Sequence, residues 1–394
     1  MKKKTIRDIT LSKKRVLVRV DFNVPLNDDG SIGDDTRIRD TLPTLRYLQD
    51  RGCRVILCSH LGRPGGKVVE SLRMGPVAGH LSRLLGLPVN AIPVSCGPEA
   101  ESAVSAMRDG DILFLENIRF YPGEQADSPD LAMAMAKLAD IYVNDAFGVC
   151  HRTHASVVGI PRYLPAVAGL LLEKELDTFG RILEAPDRPF AAVVGGSKVS
   201  DKLDVLEHII PRVDRLLIGG GMAATFLRSR GYPVGSSRVE EDRVDEIQRL
   251  EKNAESLGVP IFLPEDVVIA EKIEHGVQVR TVPANRVPDG WAIADIGPAT
   301  IRKYTHELSS CRTVIWNGPV GVFEIPEFSA GTRSIAEALA GITGTTVTGG
   351  GSTAEAVTMM GFAGKMSHVS TGGGAALQLL AGRPLPGVDA LLDA

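Results

Sequence analysis

No stretch of this sequence is apolar for long enough to cross a membrane. The longest candidate, residues 164–172, contains Pro165 and stops at Glu173, far short of the ~20 residues a spanning helix needs. After Met1-Lys2-Lys3-Lys4, the apolar run Val16–Val20 is broken by Arg19 and reads as a strand, not a signal core, so a cytoplasmic protein is expected. Cysteine is sparse: Cys53, Cys58, Cys96, Cys150 and Cys311 are an odd, scattered set without Cys-x-x-Cys. That excludes a disulfide framework and a zinc ribbon and leaves free, buried thiols as the expectation. An excess of one charge is missing too, with 44 Lys and Arg against 48 Asp and Glu. The balance gives no reason to expect nucleic acid as a partner. Gly-x-x-x-x-Gly-Lys-Ser/Thr is absent, which speaks against a P-loop NTPase.

What is present is an ordinary globular composition, 44% hydrophobic and 23% charged over 394 residues. The length allows two domains or one large α/β unit. Residues 1–170 carry 22 Lys and Arg against 19 Asp and Glu, the remainder 22 against 29, which biases the first half toward a small anionic ligand.

Short β-rich runs alternate with helical patterns throughout. Strands are predicted at Arg15–Phe22, Cys53–His60, Asp111–Asn117 and Ile141–Asp145, then at Phe190–Gly195, Arg215–Gly219, Ile261–Leu263, Trp291–Ile296, Thr313–Trp316, Thr345–Thr348 and His368–Thr371. Helices are predicted over Ser128–Ala139 and Val239–Leu257, the latter with Glu240-Glu241-Asp242 as a solvated surface. Strands alternating with helices imply parallel sheets wound on both faces. Leu170–Asp177 is a helix former suited to a connector, which puts a boundary near residue 170.

Glycine is unevenly spread, with fifteen of 42 in residues 1–170 and the rest including the triplets Gly219–Gly221, Gly349–Gly351 and Gly372–Gly374. Each cluster follows a predicted strand, and most lead into a helix, where backbone N–H groups can hold phosphate. A nucleotide half is expected there.

The first half places polar groups where its strands end, in Arg19–Pro25, Ser59–Pro64 and Glu116–Phe120, with Arg37 after Asp35 and Arg152 inside His151-Arg152-Thr153-His154. Ligands of open α/β sheets bind outside the carboxyl ends of strands. Arginine suits phosphate and carboxylate because its planar fork donates two parallel hydrogen bonds. His151 and His154 lack the further ligands a metal needs. In the second half, Lys198 and Lys202 stand four apart at a strand-to-helix junction and are expected on one face of a helix start, where they could meet a polyphosphate. Gly219–Ala224 fits Gly-x-Gly-x-x-Ala and leaves a dinucleotide fold open, and Asn317 with Glu324 could hold a ribose or a phosphate edge.

Taken together, Arg19–Pro25, Ser59–Pro64, Glu116–Glu124, His151–Ser156, Gly195–Leu203, Gly219–Leu227, Trp316–Glu324, Gly349–Thr353 and Ser370–Ala375 resemble phosphoglycerate kinases, in order and along nearly the whole chain. The resemblance implies two Rossmann-like domains, each a mostly parallel doubly wound sheet, joined by a helical hinge. The limits expected are 1–170 for a phosphoglycerate-binding domain with 382–394 packing back onto it, 171–185 for the hinge helix, and 186–381 for the nucleotide-binding domain. It implies a phosphotransferase acting on 3-phosphoglycerate or 1,3-bisphosphoglycerate with ATP or ADP and magnesium, in a monomer.

By the same resemblance, Asp21, Asn23, Arg37, His60, Arg63, Arg119 and Arg152 would bind the phosphoglycerate. Lys198, Lys202, Gly220, Gly297, Asn317, Glu324, Gly350, Gly351, Ser352 and Thr353 would bind the nucleotide. Arg37, Lys198, Gly350 and Gly373 would carry the catalysis, by neutralising and donating to the transferring group. Ser352 departs from the family, which usually has an aspartate there that helps hold magnesium. Ser352-Thr353-Ala354-Glu355 has the spacing of a capping box instead. A family member with weakened or altered metal-dependent activity is therefore the alternative. A Rossmann oxidoreductase rests on Gly219–Ala224 alone.

Overall fold

The computed structural model describes residues 2–394. The chain divides into two compact units, Met1–Asp177 with Pro384–Ala394 and Thr178–Arg383, and the division falls inside the helix Leu170–Glu184.

The first unit is built on six strands, β1 (Arg15–Val20), β2 (Arg54–Cys58), β3 (Val89–Ala91), β4 (Ile112–Phe114), β5 (Ile141–Asp145) and β6 (Ala166–Ala168). Their order is β3-β4-β2-β1-β5-β6, all pairs parallel. Parallel strands need crossovers that cover both faces, so they read as continuous apolar runs; Arg15-Val16-Leu17-Val18-Arg19-Val20 is one, buried from Val16 onward. Val16, Val18, Val20, Val55 and Val143 pack with Ile38, Leu45 and Leu48 of the helix Thr36–Gln49 in one core. That helix starts where Asp34 accepts the N–H of Thr36 at 2.8 Å. Arg37 is thereby fixed in its first turn. The closing segment belongs to this unit: Lys4 N–H donates to Leu392 O at 2.8 Å, and Gly387 N–H to Cys150 O at 2.8 Å.

The second unit holds β7 (Phe190–Val194), β8 (Arg215–Ile218), β9 (Ile261–Phe262), β10 (Asp266–Ala270), β11 (Val279–Pro283), β12 (Ala292–Ile296), β13 (Thr313–Asn317), β14 (Thr345–Gly349) and β15 (His368–Val369). Six form a parallel sheet in the order β15-β14-β13-β7-β8-β9, and three a separate antiparallel sheet, β11-β10-β12. Asn317 ends β13, in register with Gly349 of β14 and Val194 of β7. The core gathers Val193, Leu217, Val314 and Trp316 against Tyr304, Leu308, Ile335 and Leu339.

Four strands, β3, β6, β10 and β11, escape the sequence pattern. β3 and β6 have three residues each, too few for a periodic signal, and β11 alternates little because nearly all of it is exposed. The antiparallel sheet is thus an addition to the expected parallel architecture. The helix predicted from Val239 begins at Val244 after a single 3-10 turn, Glu241–Arg243. Glu240 is no mere solvated charge: its carboxylate accepts the N–H of Ser200 at 2.9 Å and its hydroxyl at 2.6 Å. All five cysteines are free, four of them buried, and among the described residues no helix is long and apolar enough to cross a membrane.

Asp145, at the end of β5, is fully buried and accepts the N–H groups of Leu171 and Leu172 at 2.9 and 3.2 Å, capping the helix Leu170–Glu184. Burial pushes its carboxyl up to about 7, from an ordinary 3.8. A raised acid pKa stabilises the fold fully below about pH 4, and that contribution is lost as pH rises through about 7. Asn at this position keeps the accepting oxygen and does not titrate. The melting temperature of Asp145→Asn should therefore rise relative to wild type between pH 5 and pH 8; parallel curves would contradict the assignment.

Candidate active site

In the first unit, cations converge on the carboxyl ends of β1 and β2. Arg19 lies in β1, in register with Cys58 of β2 and Asn144 of β5. Asp21 follows and forms an ion pair with Arg37. Asn23 accepts the N–H of Gly62 at 2.8 Å, and Arg119 donates to Gly62 O at 2.8 Å. Buried Asn117 ties the two loops together: its amide donates to Leu61 O and Leu72 O at 2.8 and 2.9 Å, and its oxygen accepts the N–H of Arg119 at 3.1 Å. Glu116 anchors the same turn, accepting the N–H groups of Met74 and Asn117. Hence Asp21, Asn23, Arg37, His60 and Arg119 are joined by direct bonds or shared loops. Arg63, on the loop after His60, is exposed, and Arg152 follows the 3-10 turn Phe147–Val149 after β5.

Charge in this cluster is unbalanced. Arg119 is pushed down to about 10 by burial and then by its neighbours Arg152 and Arg19. His60 is held neutral, well below its usual range, by burial and by the arginines around it, Arg19 first. Arg119 Nη2, Arg152 Nε, His151 Nδ1 and Asp21 Oδ1 are buried and have no hydrogen-bond partner. Each such group costs about 1–3 kcal/mol. Unanswered donors beside a surplus of guanidinium charge suit an anion with several oxygens.

In the second unit, backbones approach one another where side chains cannot fit. Gly195 N–H donates to Asn317 O at 2.9 Å, Gly196 N–H to Pro319 O at 2.9 Å, and Gly220 N–H to Val320 O at 2.9 Å. A β-carbon on Gly195 would collide with the carbonyls of Pro319 and Gly318, and Gly318 itself has φ +94°. Gly219–Gly221 is spent on this packing, since Met222 N–H donates to Gly196 O at 2.9 Å. Thr353 accepts the N–H of Gly318 at 2.7 Å. Lys202 donates to Asn317 Oδ1, while Asn317 Nδ2 is buried without a partner.

Two helices, Gly351–Met359 and Gly373–Leu380, begin side by side: a β-carbon on Gly373 would lie 3.0 Å from Gly351 N. Their first-turn N–H groups and partial positive charges add. On Gly351 a β-carbon would meet nothing within 4 Å.

Two expectations change. Lys198 and Lys202 do not share a helix face, because the helix starts only at Leu203 with Lys202 as its N-cap. They lie in the preceding turn, where burial lowers the Lys202 ammonium to about 8. Ser352 and Glu355 form no capping box: the N-cap is Gly350, no side chain caps it, and Ser352 is the exposed second helical residue. Gly297 lies at a helix start, with its N–H on Asp266 O at 2.8 Å, and Asp266 caps that helix through Ala299 and Thr300. Glu324 is exposed.

In the sequence Arg19 and Glu124 stand out only as the ends of motifs. Arg19 is 1% exposed and donates from Nε to Ser156 Oγ at 2.9 Å and from Nη2 to His60 Nδ1 at 3.3 Å. Glu124 is fully buried and accepts both the N–H and the hydroxyl of Ser156. Asp295 was missed as well. It accepts Gly331 N–H at 2.8 Å at the start of the helix Ala330–Ala340 and lies where a β-carbon on Gly321 would be. A charged residue inside an apolar strand was the available signal for Arg19 and Asp295.

Likeness to known proteins gives the family. The family model described as phosphoglycerate kinase matches residues 6–383. The chain belongs to the phosphoglycerate kinase family. Relatives of that name are 52% identical in Moorella thermoacetica and 53% in Herpetosiphon aurantiacus, each over 100% of both chains. The solved phosphoglycerate kinase structures from Coxiella burnetii and Pyrococcus horikoshii OT3 superpose with TM-scores of 0.88 and 0.87, at 39% and 32% identity over 98% of each chain. The activity is phosphoryl transfer between 1,3-bisphosphoglycerate and ADP, giving 3-phosphoglycerate and ATP. The comparisons lend no support to a weakened or altered relative, and the oxidoreductase reading falls with the family.

The packing separates two kinds of glycine in the second half-site. Gly195→Ala should lower stability by about 2 kcal/mol through overpacking. Gly351→Ala should leave it unchanged or raise it by a few tenths up to about 1 kcal/mol, as alanine replaces glycine in a helix. Urea unfolding of both variants checks the contrast.

Proposed function

We propose that the first unit binds the phosphoglycerate and the second the nucleotide. Asp21, Asn23, Arg37, His60, Arg63, Arg119 and Arg152 hold the one; Lys198, Lys202, Asn317, Gly350, Gly351 and Thr353, with Gly220, Gly297, Glu324 and Ser352, hold the other. The observation that carries this reading is the set of buried, unpartnered donors around Arg119 and Arg152. They would be satisfied by the phosphate and carboxylate oxygens of a small phosphorylated acid.

In the direction that makes ATP, an oxygen of ADP attacks the acyl phosphate and a carboxylate leaves. A carboxylate is a good leaving group, so the protein needs no nucleophile or strong base; positioning and charge neutralisation carry the rate. Arg37 and Lys198 neutralise the transferring group, and the N–H groups at Gly350 and Gly373 donate to its oxygens. Reacting atoms must come within about 3–3.5 Å of each other with water excluded, so we place a closing motion around the helix Leu170–Glu184.

Among the described residues there is no cluster of three His, Cys, Asp or Glu that could hold a metal. The Ser352 hydroxyl, exposed at a helix start, fits magnesium that arrives on the nucleotide and keeps most of its water. Bound so, magnesium would supply charge neutralisation on the phosphates. The reading also takes the enzyme to be a cytoplasmic monomer, which sedimentation can test for association state.

The experiment is a coupled assay of ATP-dependent phosphorylation of 3-phosphoglycerate. Arg152→Gln should raise KM for 3-phosphoglycerate about tenfold or more, as expected for a lost charge-assisted hydrogen bond, with KM for ATP unchanged; Lys202→Gln should do the reverse. Because Lys202 loses its proton above about pH 8, KM for ATP in the wild type should also climb between pH 7 and pH 9, and Lys202→Arg should flatten that rise. Equal effects on both substrates would overturn the division of labour.

A further inference from the structure

The cationic half-site contains a carboxylate that the assignment above leaves without a task. Glu124 is fully buried, an unfavourable place for a charge unless it is paired and hydrogen-bonded. Burial works against its ionisation, but His154, Arg19 and Ser156 outweigh that and hold it below its usual range. Ser156 meets both oxygens, with N–H to Oε2 at 2.9 Å and hydroxyl to Oε1 at 2.6 Å. His154 Nδ1 is 3.5 Å from Oε1.

The direction of these bonds matters. The Ser156 hydroxyl spends its one proton on Glu124, so toward Arg19 it can only accept, and Arg19 Nε donates to it at 2.9 Å. Arg19 Nη1 is spent on Val20 O, which turns Nη2 to His60 Nδ1 at 3.3 Å. A guanidinium has donors only and does not lose its proton. The ring nitrogen it meets must therefore accept, and the imidazole proton lies on Nε2.

A rival arrangement is close by. Asp21 Oδ1 is 3.7 Å from the same His60 Nδ1 and has no hydrogen-bond partner, its sister oxygen being held by Arg37. A proton on Nδ1 would satisfy Asp21 and leave Nε2 as a lone pair, which repels an anionic oxygen. The remaining charges facing His60 are Arg119, Arg152 and Arg37, all of which favour the neutral ring.

We propose that Glu124 and Ser156 are positioning residues for the phosphoglycerate half-site, which act through Arg19 to hold His60 as a neutral imidazole with its proton on Nε2. The ring then offers a donor, not a lone pair, on the side away from Arg19. This rests on the assignment of that half-site to phosphoglycerate.

The test uses the full chain labelled with 15N-histidine, with His60 resonances identified by their loss in His60→Gln. In wild type, ring correlations should report protonated Nε2 and bare Nδ1, unchanged from pH 8 to pH 5.5. Ser156→Ala should shift His60 toward the other tautomer and raise KM for 3-phosphoglycerate about five- to tenfold, the worth of one hydrogen bond, with KM for ATP and kcat within about twofold. Glu124→Gln should act in the same direction; should it not fold, Ser156→Ala decides alone.

Arg152→Gln serves as the reference. If it leaves KM for 3-phosphoglycerate unchanged, the assignment of the half-site fails, and the ring signals still decide the tautomer. If it raises that KM while Ser156→Ala leaves the His60 signals in place, the proposal is overturned, whatever happens to the melting temperature.

Discussion

A guanidinium keeps its proton wherever it is put, so a buried group of arginines has to be answered by something. Around Arg19, Arg119 and Arg152 the protein answers only in part. Glu124 and Asp21 are the carboxylates among them, and Asp21 is half spent on Arg37. The rest of the first unit serves this imbalance. Asn117 and Glu116 lock the loops against each other so that the cations cannot move apart, and the parallel strands deliver all of them to one end of the sheet.

On the proposed reading, the second unit draws positive potential from other sources as well. It uses backbone N–H groups and helix starts, which carry no formal charge and need no counter-ion. Packing those backbones closely requires positions without a β-carbon, which is why Gly195 and Gly318 face carbonyl groups. Glu240, bonded to Ser200, holds the turn that carries Lys198 and Lys202. On the proposed reading, the first unit would meet its anion with side-chain cations, and the second would add main-chain dipoles to Lys198 and Lys202.

Much of this was legible beforehand because the chemistry is local. Val16–Val20, Phe190–Val194 and Thr313–Trp316 read as buried parallel strands from their apolar runs, and polar groups just beyond them point to ligands. What stayed hidden depends on distant partners. Glu124 looks like any surface acid until Ser156, 32 positions away, is seen beside it. β11 is the exposed edge of its sheet, where alternation is weak. Ser352 and Glu355 had the right spacing for a cap, but the glycine at 350 starts the helix earlier and moves both inside it. Spacing alone does not reveal where a helix begins.

The closing segment carries a consequence for biosynthesis. Residues 384–394 complete the first unit, with Leu392 bonded to both Lys4 and Ala166 and Lys3 paired with Asp393. The ribosome makes them after every other part of either unit. All of Thr178–Arg383 has emerged before the first unit can acquire its final contacts, although that unit was begun first. The unit translated in the middle can therefore finish folding ahead of the one that frames it, and the edge near β6 must wait for its partner until residues 384–394 have been made.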